Sequence, residues 1–265
     1  MLKSSRQVRR KRTTWPKKAS YIKSQIPIKS YEWQEKRPGA LEIDLVEHNG
    51  GSSIGHFAYT LSVVDVVTGY SRRRAVLGRG QIGVHKEIKR IVFEWPYAIW
   101  GIHTDNGSEF LSAHVLKYCE QNCFQFTRSR PYKKNDSPHV EQKNFQHVRC
   151  LVGYERFDTL EQVEWLNTLY EQYDRYVNLF QPSRKLVSKE RHGSRVKKGY
   201  DTAKTPLKRA LEAGVVAKET ADKYQKLYHS LNPLKLHQQV EQLLTQRFTT
   251  NTEVTPLEKK RVGTD

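Results

Sequence analysis

The stretch LEIDLVEH, residues 41–48, has the composition of a buried β-strand with an acid in its middle. Its apolar residues are leucine or β-branched and lie close together, and Gly50 and Gly51 follow as a turn signal. Asp44 stands between apolar neighbours, where an unpaired carboxylate is costly to bury. The position therefore predicts a nearby cation or hydrogen-bond donors that stabilise this carboxylate.

Two further acids stand at positions that suggest a shared site with Asp44. Asp105 ends the run AIWGIHTD, 60 residues after Asp44, and Glu141 lies 35 residues further on in NDSPHVEQKN. Taken singly, each acid has an ordinary explanation: a charge at a strand end, the first residue of a DNG turn, and a solvated helix glutamate. Taken together, three hard oxygen ligands predict a divalent-metal site of the paired-ion kind.

The hydrophobic pattern predicts an α/β fold in which three strands precede alternating helices and strands. The first three strands read as an antiparallel meander, and Ser137 and Pro138 mark the start of the helix that carries Glu141. The predicted order is βββαβαβα, with strands at 41–48, 56–70, 71–78, 98–105 and 124–130 and helices at 81–95, 112–123 and from 137.

Composition and pattern divide the chain into three predicted parts. Residues 1–38 are expected to form a basic arm, disordered over its first twenty residues, with an extended lead-in from Tyr21 to Arg37. Residues 39–180 are expected to form the catalytic core, which includes a helix over 159–176. Residues 181–265 are expected to form a basic linker and a helical region with short helices at 205–214, 218–231 and 232–248.

The charge distribution predicts a polyanionic partner. Of the formal net charge of +18, residues 1–40 carry +10 and residues 184–209 carry +8, so the remainder is neutral. Basic segments beside a balanced body favour nucleic acid, although a solvated tail and a solvated helix face would give the same count. The sequence contains neither an apolar run of membrane-spanning length nor a secretory signal, so we expect a cytoplasmic, nucleoid-associated protein without membrane contact.

These motifs resemble those of integrase-core transposases of insertion sequences, which share a retroviral-integrase-like superfamily and a ribonuclease H-like fold. The resemblance lies in LEIDLVEH, HTDNGSEF, RSRPYKKND and HVEQKN and extends through LVGYERFDT and VNLFQPSRKLV to about residue 235. It implies a mixed five-stranded sheet flanked by helices, a DNA substrate and two Mg²⁺ or Mn²⁺ ions. Asp44, Asp105 and Glu141 match the family's catalytic and metal-binding acids.

The resemblance also implies which residues contact DNA near the scissile phosphate. Asn106 and Gly107 match the turn after the second acid, where they would orient Asp105 and let the backbone approach DNA. The remaining implied contacts flank Glu141 and would position phosphate: Lys133, Lys134, His139, Lys143 and Asn144. Turn chemistry and a solvated helix face are the ordinary explanations of these residues.

The implied reaction is in-line attack on phosphorus by water or a 3′ hydroxyl, giving DNA end cleavage or strand transfer without a covalent protein intermediate. Family members act as multimers on paired DNA ends, so a homodimer is expected. They also carry an N-terminal helix-turn-helix or zinc-held region, for which residues 1–40 show no pattern. A truncated reading frame, an excised fragment and a companion chain are the three explanations.

Three other functions remain open on the sequence. A non-catalytic DNA-binding remnant would keep the fold and the basic segments without the reaction, although the three acids are intact. A ribonuclease H-like nuclease would hydrolyse without strand transfer. A basic ribosome-associated or RNA-packaging protein would account for the charge alone and leave the acids unexplained.

Overall fold

The computed structural model describes residues 18–29, 37–131 and 137–246. The helices are α1 (Lys18–Gln25), α2 (Gln81–Phe93), α3 (Ala113–Gln121), α4 (Pro138–Asn144), α5 (Cys150–Val152), α6 (Leu160–Phe180), α7 (Pro206–Glu212), α8 (Lys218–Ser230) and α9 (Pro233–Thr245), with a π-helical turn at Phe145–Arg149 between α4 and α5. The strands are β1 (Ala40–Glu47), β2 (Ala58–Asp65), β3 (Ser71–Leu77), β4 (Gly101–Thr104), β5 (Gln125–Arg128), β6 (Leu186–His192) and β7 (Arg195–Tyr200).

The core is a mixed five-stranded sheet with strand order β3-β2-β1-β4-β5. Strands β1, β2 and β3 pair antiparallel as a meander, and β4 and β5 continue the sheet in parallel with β1. The element order from β1 to α4 is βββαβαβα. The α/β fold class and the element order predicted from the sequence are therefore confirmed.

Both faces of β1 are covered, and the side-chain alternation of the strand decides what covers each face. Leu41 and Ile43 belong to one hydrophobic cluster with Ile88 of α2 and Val115 of α3. Val46 belongs to a second cluster on the other face, together with residues of α5 and α6. Glu42 and Asp44 alternate with Leu41 and Ile43 and so share the face of Val46, which places two acids beneath the segment that runs from α4 to α6.

The segment before the sheet differs from its prediction. Lys18–Gln25 forms α1 where a disordered and then extended chain was expected, and its Lys, Ala and Gln residues favour a helix. The residues that follow α1 pair with β5, since Arg128 N donates to Pro27 O and Lys29 N donates to Arg128 O, both at 3.0 Å. These bonds satisfy backbone groups on the free edge of β5. Residues 1–17 and 30–36 of the predicted arm and lead-in lie outside the described residues.

The segment predicted as a basic linker contains a β-hairpin. β6 and β7 pair antiparallel, and Gly193 at the turn has a φ of 60°. The Gly193-Ser194 dipeptide supplies a turn between two short segments that each contain a valine, and the strong charge of those segments concealed this weak strand signal. The three short helices expected after it are present as α7, α8 and α9.

The helix α6 is longer than its prediction and closes one side of the core. Thr159 caps it, with Gln162 completing a capping box, and buried Val177 and Leu179 extend its apolar face four residues past the predicted end at Tyr176. Within the described ranges, no helix combines the length and apolarity that crossing a membrane requires.

A buried ion pair joins α6 to β3, and we expect its removal to weaken the fold strongly. Asp174 accepts from the Arg73 guanidinium and, at 2.8 Å, from the Arg73 backbone N–H. Asp174→Ala would leave the Arg73 charge buried and unpaired, which should lower the free energy of unfolding by about 3–5 kcal/mol in urea titrations. Glu164→Ala, on the exposed face of the same helix, should change it by no more than about 0.5 kcal/mol. Equal effects of the two variants would contradict the assignment.

Candidate active site

The parallel pairing of β1 and β4 brings the first two predicted acids together. Ile43 is opposite Thr104 in the register, so Asp44 and Asp105 are the next residues of two neighbouring strands. Such strands lie about 4.8 Å apart. Asp44 is half-buried in the middle of β1, whereas Asp105 is exposed directly after the end of β4.

The helix α4 brings the third acid to the same place. Glu141 lies in the first turn of α4 and is exposed. It lines a cavity of about 600 Å³ together with Asp44 and Asp105. The structure thus joins the three carboxylates that the sequence places 60 and 35 residues apart.

Two cations that the sequence did not single out line the same cavity. Lys23 comes from α1 and Arg130 from the segment just after β5. Lys23 was hidden because the first forty residues were expected to be an arm and a lead-in, and Arg130 because nothing in the sequence places it beside Asp105. The cavity therefore combines three carboxylates with two positive side chains.

The surroundings of Asp44 work against its negative charge. Burial, and after it the charges of Asp105 and Glu141, raise the pKa of its carboxyl to about 7 against the lowering effect of the Leu45 backbone N–H. One oxygen of Asp44 accepts from the Asn144 side-chain N–H at 2.8 Å. A positive ion in the cavity would relieve this repulsion.

The turn after Asp105 is shaped by a glycine and a further acid. The Asp105 carboxylate accepts from the Gly107 N–H at 2.9 Å. A Cβ at Gly107 would lie 2.5 Å from a Glu109 carboxylate oxygen and 3.0 Å from Asp105, so no larger residue fits without displacement. Glu109 is buried, and burial followed by the charge of Asp105 raises its pKa. Glu109 went unnoticed in the sequence, although HTDNGSEF contains it.

Asn106 ties the same turn to β5. Its side-chain N–H₂ donates to Ser129 O at 2.8 Å, and its side-chain oxygen accepts from Arg128 Nη1 at 3.0 Å. Both ends of the amide are therefore bonded to the protein. This arrangement fits the predicted orienting role of Asn106, while its contact with DNA remains a prediction.

Glu42 holds α4 against the sheet, a role that the sequence reasoning missed. Its fully buried carboxylate accepts from the backbone N–H groups of His139 at 3.0 Å and Val140 at 2.9 Å. Ser137 occupies the cap position as predicted, but its hydroxyl bonds that of Ser129 at 3.2 Å rather than the helix. Burial raises the pKa of Glu42 to about 7 despite the two backbone bonds. The available signal was its place two residues before Asp44, on the same strand face.

The side chains of α4 that were predicted to contact DNA are buried or half-buried against the protein. Asn144 is buried against Asp44, and burial with the charge of Lys185 lowers the pKa of His139 to about 4, so this imidazole is neutral at pH 7. Burial and the charges of Arg73 and Lys185 lower the pKa of Lys143 to about 8. Lys133 and Lys134 lie outside the described residues. No contact of these side chains with DNA is tested.

The donor set suits a hard divalent cation, but the acids do not form a closed ligand shell. Carboxylate oxygens are the ligands that Mg²⁺ and Mn²⁺ prefer, and Asp44, Asp105 and Glu141 are the residues that would hold such an ion. In residues 18–29, 37–131 and 137–246, no group of three His, Cys, Asp or Glu side chains is close enough to hold a metal ion. The placement of the half-buried Asp44 next to Asp105 at one cavity, together with Glu141, is the observation that favours a cation here.

Comparison with known sequences leaves the family open. No protein-family model matches the chain. The uncharacterized protein y4rM of Sinorhizobium fredii (strain NBRC 101917 / NGR234) is 37% identical over 192 residues. The alignment covers 72% of this chain and 55% of the relative, so the chain spans about half the length of the curated relative that it matches.

Two solved structures are similar to the chain in fold. One is the catalytic core domain of BIV integrase, with a TM-score of 0.43 and 16% identity over 66% of this chain and 95% of that chain. The other is the simian T-cell lymphotropic virus intasome in complex with PP2A regulatory subunit B56 gamma, with a TM-score of 0.41 and 17% identity over 48% of this chain and 44% of that chain. At these values the likeness supports no inference about function, which has to come from the residues themselves.

The raised pKa of Asp44 predicts that this site destabilises the metal-free fold as pH rises. A folded pKa of about 7 against an ordinary 3.8 gives a contribution that is complete below about pH 4 and lost as the pH rises through 7. Buried histidines change stability in the opposite direction, so the test compares the wild type with Asp44→Asn in EDTA. The free energy of unfolding of the wild type, measured relative to that of Asp44→Asn, should fall between pH 4 and 7 in urea titrations. Parallel curves would refute the shift.

Removal of the Glu42 acceptor should loosen α4. Glu42→Ala orphans two buried N–H groups, each costing about 1–3 kcal/mol, and should speed amide exchange at His139 and Val140. Glu42→Gln keeps an acceptor and removes a buried charge, so it should unfold at the wild-type urea midpoint or above. If Glu42→Gln loosens the helix as much as Glu42→Ala does, Glu42 does not act as its backbone acceptor.

Proposed function

We propose that this chain is a divalent-metal-dependent polynucleotidyl transferase of the transposase and integrase kind, which cleaves DNA ends and transfers strands. The observation that carries the proposal is the convergence of Asp44, Asp105 and Glu141 on one cavity. Three elements that are far apart in sequence, β1, the end of β4 and α4, supply one acid each.

The charge pattern supports a phosphate-containing substrate. Lys23 and Arg130 line the cavity beside the acids, and the chain carries a net charge of +18. Phosphodiesters would meet attraction from the two cations and repulsion from the three carboxylates. Bound cations that neutralise the carboxylates would make the electrostatic potential of the cavity positive and attractive to phosphate. We therefore propose DNA as the substrate and Mg²⁺ or Mn²⁺ as the cofactor.

The residues around the acids would fix the carboxylates for this chemistry. The Gly107 N–H holds the Asp105 carboxylate, and the Asn144 amide holds that of Asp44. Glu42 holds the first turn of α4 and with it the backbone that carries Glu141. When two divalent ions are bound, they supply activation of the attacking oxygen and stabilisation of the leaving oxygen.

The proposed reaction needs no nucleophilic side chain. Water or a 3′ hydroxyl of DNA attacks phosphorus in line, and the displaced 3′ oxygen leaves with the other strand segment. The chain's own contribution is to hold the phosphate with Lys23 and Arg130 and to hold the carboxylates in place. A homodimer on paired DNA ends, predicted from the sequence, belongs to the same proposal.

Reversal of strand transfer on a branched DNA tests the proposal, because it depends on the catalytic core more than on end recognition. With Mn²⁺, the wild type should release the joined strand. Asp105→Asn and Glu141→Gln should each slow release by at least about 100-fold, since a lost metal ligand removes several kcal/mol of transition-state stabilisation. Glu164→Gln, the same chemical change on the exposed face of α6, should leave the rate unchanged.

The products separate the competing functions. If the wild type and the variants all bind DNA but none of them reverses strand transfer, the chain is a non-catalytic DNA-binding remnant. Simple hydrolysis of the branched substrate, with no rejoined product, would indicate a ribonuclease H-like nuclease instead. Comparable reversal by the wild type and both acid variants would rule out the three carboxylates as the working site.

A further inference from the structure

The β6–β7 hairpin is a strongly basic surface outside the cavity. Residues 186–200 contain five Lys or Arg residues and one acid, Glu190. Apart from Gly199 and His192, every residue of the hairpin is described as exposed. The hairpin is thus a two-stranded ribbon whose charges face solvent.

The register of the ribbon sorts these charges onto two different faces. Lys189 is opposite Lys198, and Arg191 is opposite Val196, so Lys189, Arg191 and Lys198 share one face, here called the basic face. Like charges directly opposite each other destabilise a strand pair. Within the described part of the chain, no carboxylate forms an ion pair with these three side chains, and Arg191 Nε donates to a carbonyl, Gly193 O, at 3.2 Å. The basic face therefore holds three positive charges that nothing in the described fold neutralises.

The opposite face is composed differently. Glu190 stands directly across from Lys197, and Arg195 lies at the end of the same face. An acid and a base at opposite positions attract each other, which is the usual stabilising arrangement in a strand pair. Two faces of one hairpin, with similar exposure, thus differ in net charge: the basic face has three positive side chains and no acid, and the opposite face has two positive side chains and one acid.

The base of the ribbon is fixed to the core. Asp201 accepts from the Lys185 N–H at 2.7 Å and forms an ion pair with Arg209, which also donates to Ser183 O at 2.6 Å. Lys185 Nζ donates to Val66 O at 2.6 Å, and the Val66 N–H donates to Ala40 O at the start of β1. Asp44 is four positions further along β1 than Ala40, a distance of about 13 Å. The ribbon is therefore anchored at its base to the sheet that carries Asp44.

We propose that the basic face of the β6–β7 ribbon binds the sugar-phosphate backbone of the same duplex DNA whose strand enters the cavity. This inference rests on the proposed function for the identity of the polyanion. Mutually repelling cations on an anchored ribbon match a duplex that carries one negative charge per about 1.7 Å of its axis. The contact supplies affinity and orientation without sequence preference.

A charge-matched pair of variants of the full chain tests the face. Lys189→Gln/Lys198→Gln removes two charges from the basic face, and Arg195→Gln/Lys197→Gln removes two from the opposite face. The probe is a fluorescein-labelled 25-base-pair duplex of arbitrary sequence, with Kd measured by anisotropy across about 50–200 mM NaCl. All four positions are exposed, so both variants should keep the wild-type melting transition.

Each lost phosphate contact should reduce the salt slope of log K by about 0.9, so the basic-face variant should lose about 1.8 and the opposite-face variant less than half of that. Equal losses for the two variants, or an unchanged slope for the basic-face variant, would overturn the proposal. Tighter wild-type binding to an RNA duplex of equal length would overturn it as well. If the wild type reverses strand transfer but the basic-face variant keeps the wild-type salt slope, only the proposal for the ribbon is refuted. If the salt slopes are as expected but the wild type does not reverse strand transfer, only the proposed function is refuted.

Discussion

The parallel pairing of β1 with β4 determines where the acids of the cavity can lie. It sets Asp44 beside Asp105, and the turn that follows Asp105 is then held by Gly107 and Asn106. The helix α4, which carries Glu141, is attached to β1 at both ends: Glu42 of β1 holds its first turn, and Asn144 at its last turn donates to Asp44. A shift of β1 by one residue against β4 would turn Asp44 toward the hydrophobic cluster of α2 and α3 and would detach α4 from the sheet.

This geometry buries carboxylates whose ionised forms lower the stability of the fold. Two acids of β1, Glu42 and Asp44, have pKa values raised to about 7, chiefly by burial. Glu42 offsets its burial by capping α4, whereas Asp44 has one amide bond and faces the charges of Asp105 and Glu141. Without a bound cation, the ionised Asp44 carboxylate lowers the stability of the fold at neutral pH. The surrounding framework of buried apolar residues and the Arg73–Asp174 pair makes that weakness tolerable.

The sequence predicted the order of the elements, because that order follows from local periodicity and turn signals. It predicted a shared site for the three acids from their ligand chemistry and their resemblance to a family pattern. It did not predict the contacts that cross between elements. Glu42 was indistinguishable from a surface glutamate until β1 paired with its neighbours and α4 lay over it. Lys23 entered the cavity only through α1, and the hairpin at 186–200 was concealed by its own charge. Local patterns identify the elements and the chemistry, whereas long-range packing decides which residues serve the site.

The combination of charges in the cavity bears on whether the chain merely holds DNA. Asp44, Asp105 and Glu141 repel each other and would repel a phosphodiester that Lys23 and Arg130 attract. A surface evolved for binding alone gains affinity and stability when such acids are replaced by neutral residues. The same acids become useful when a divalent cation is present, since the cation neutralises them and draws phosphate into the cavity. Under the proposed function, the arrangement suits a reacting phosphodiester better than a passively bound one. The affinity for the rest of the duplex would then lie on surfaces that carry positive charge without acids, such as the basic face of the ribbon.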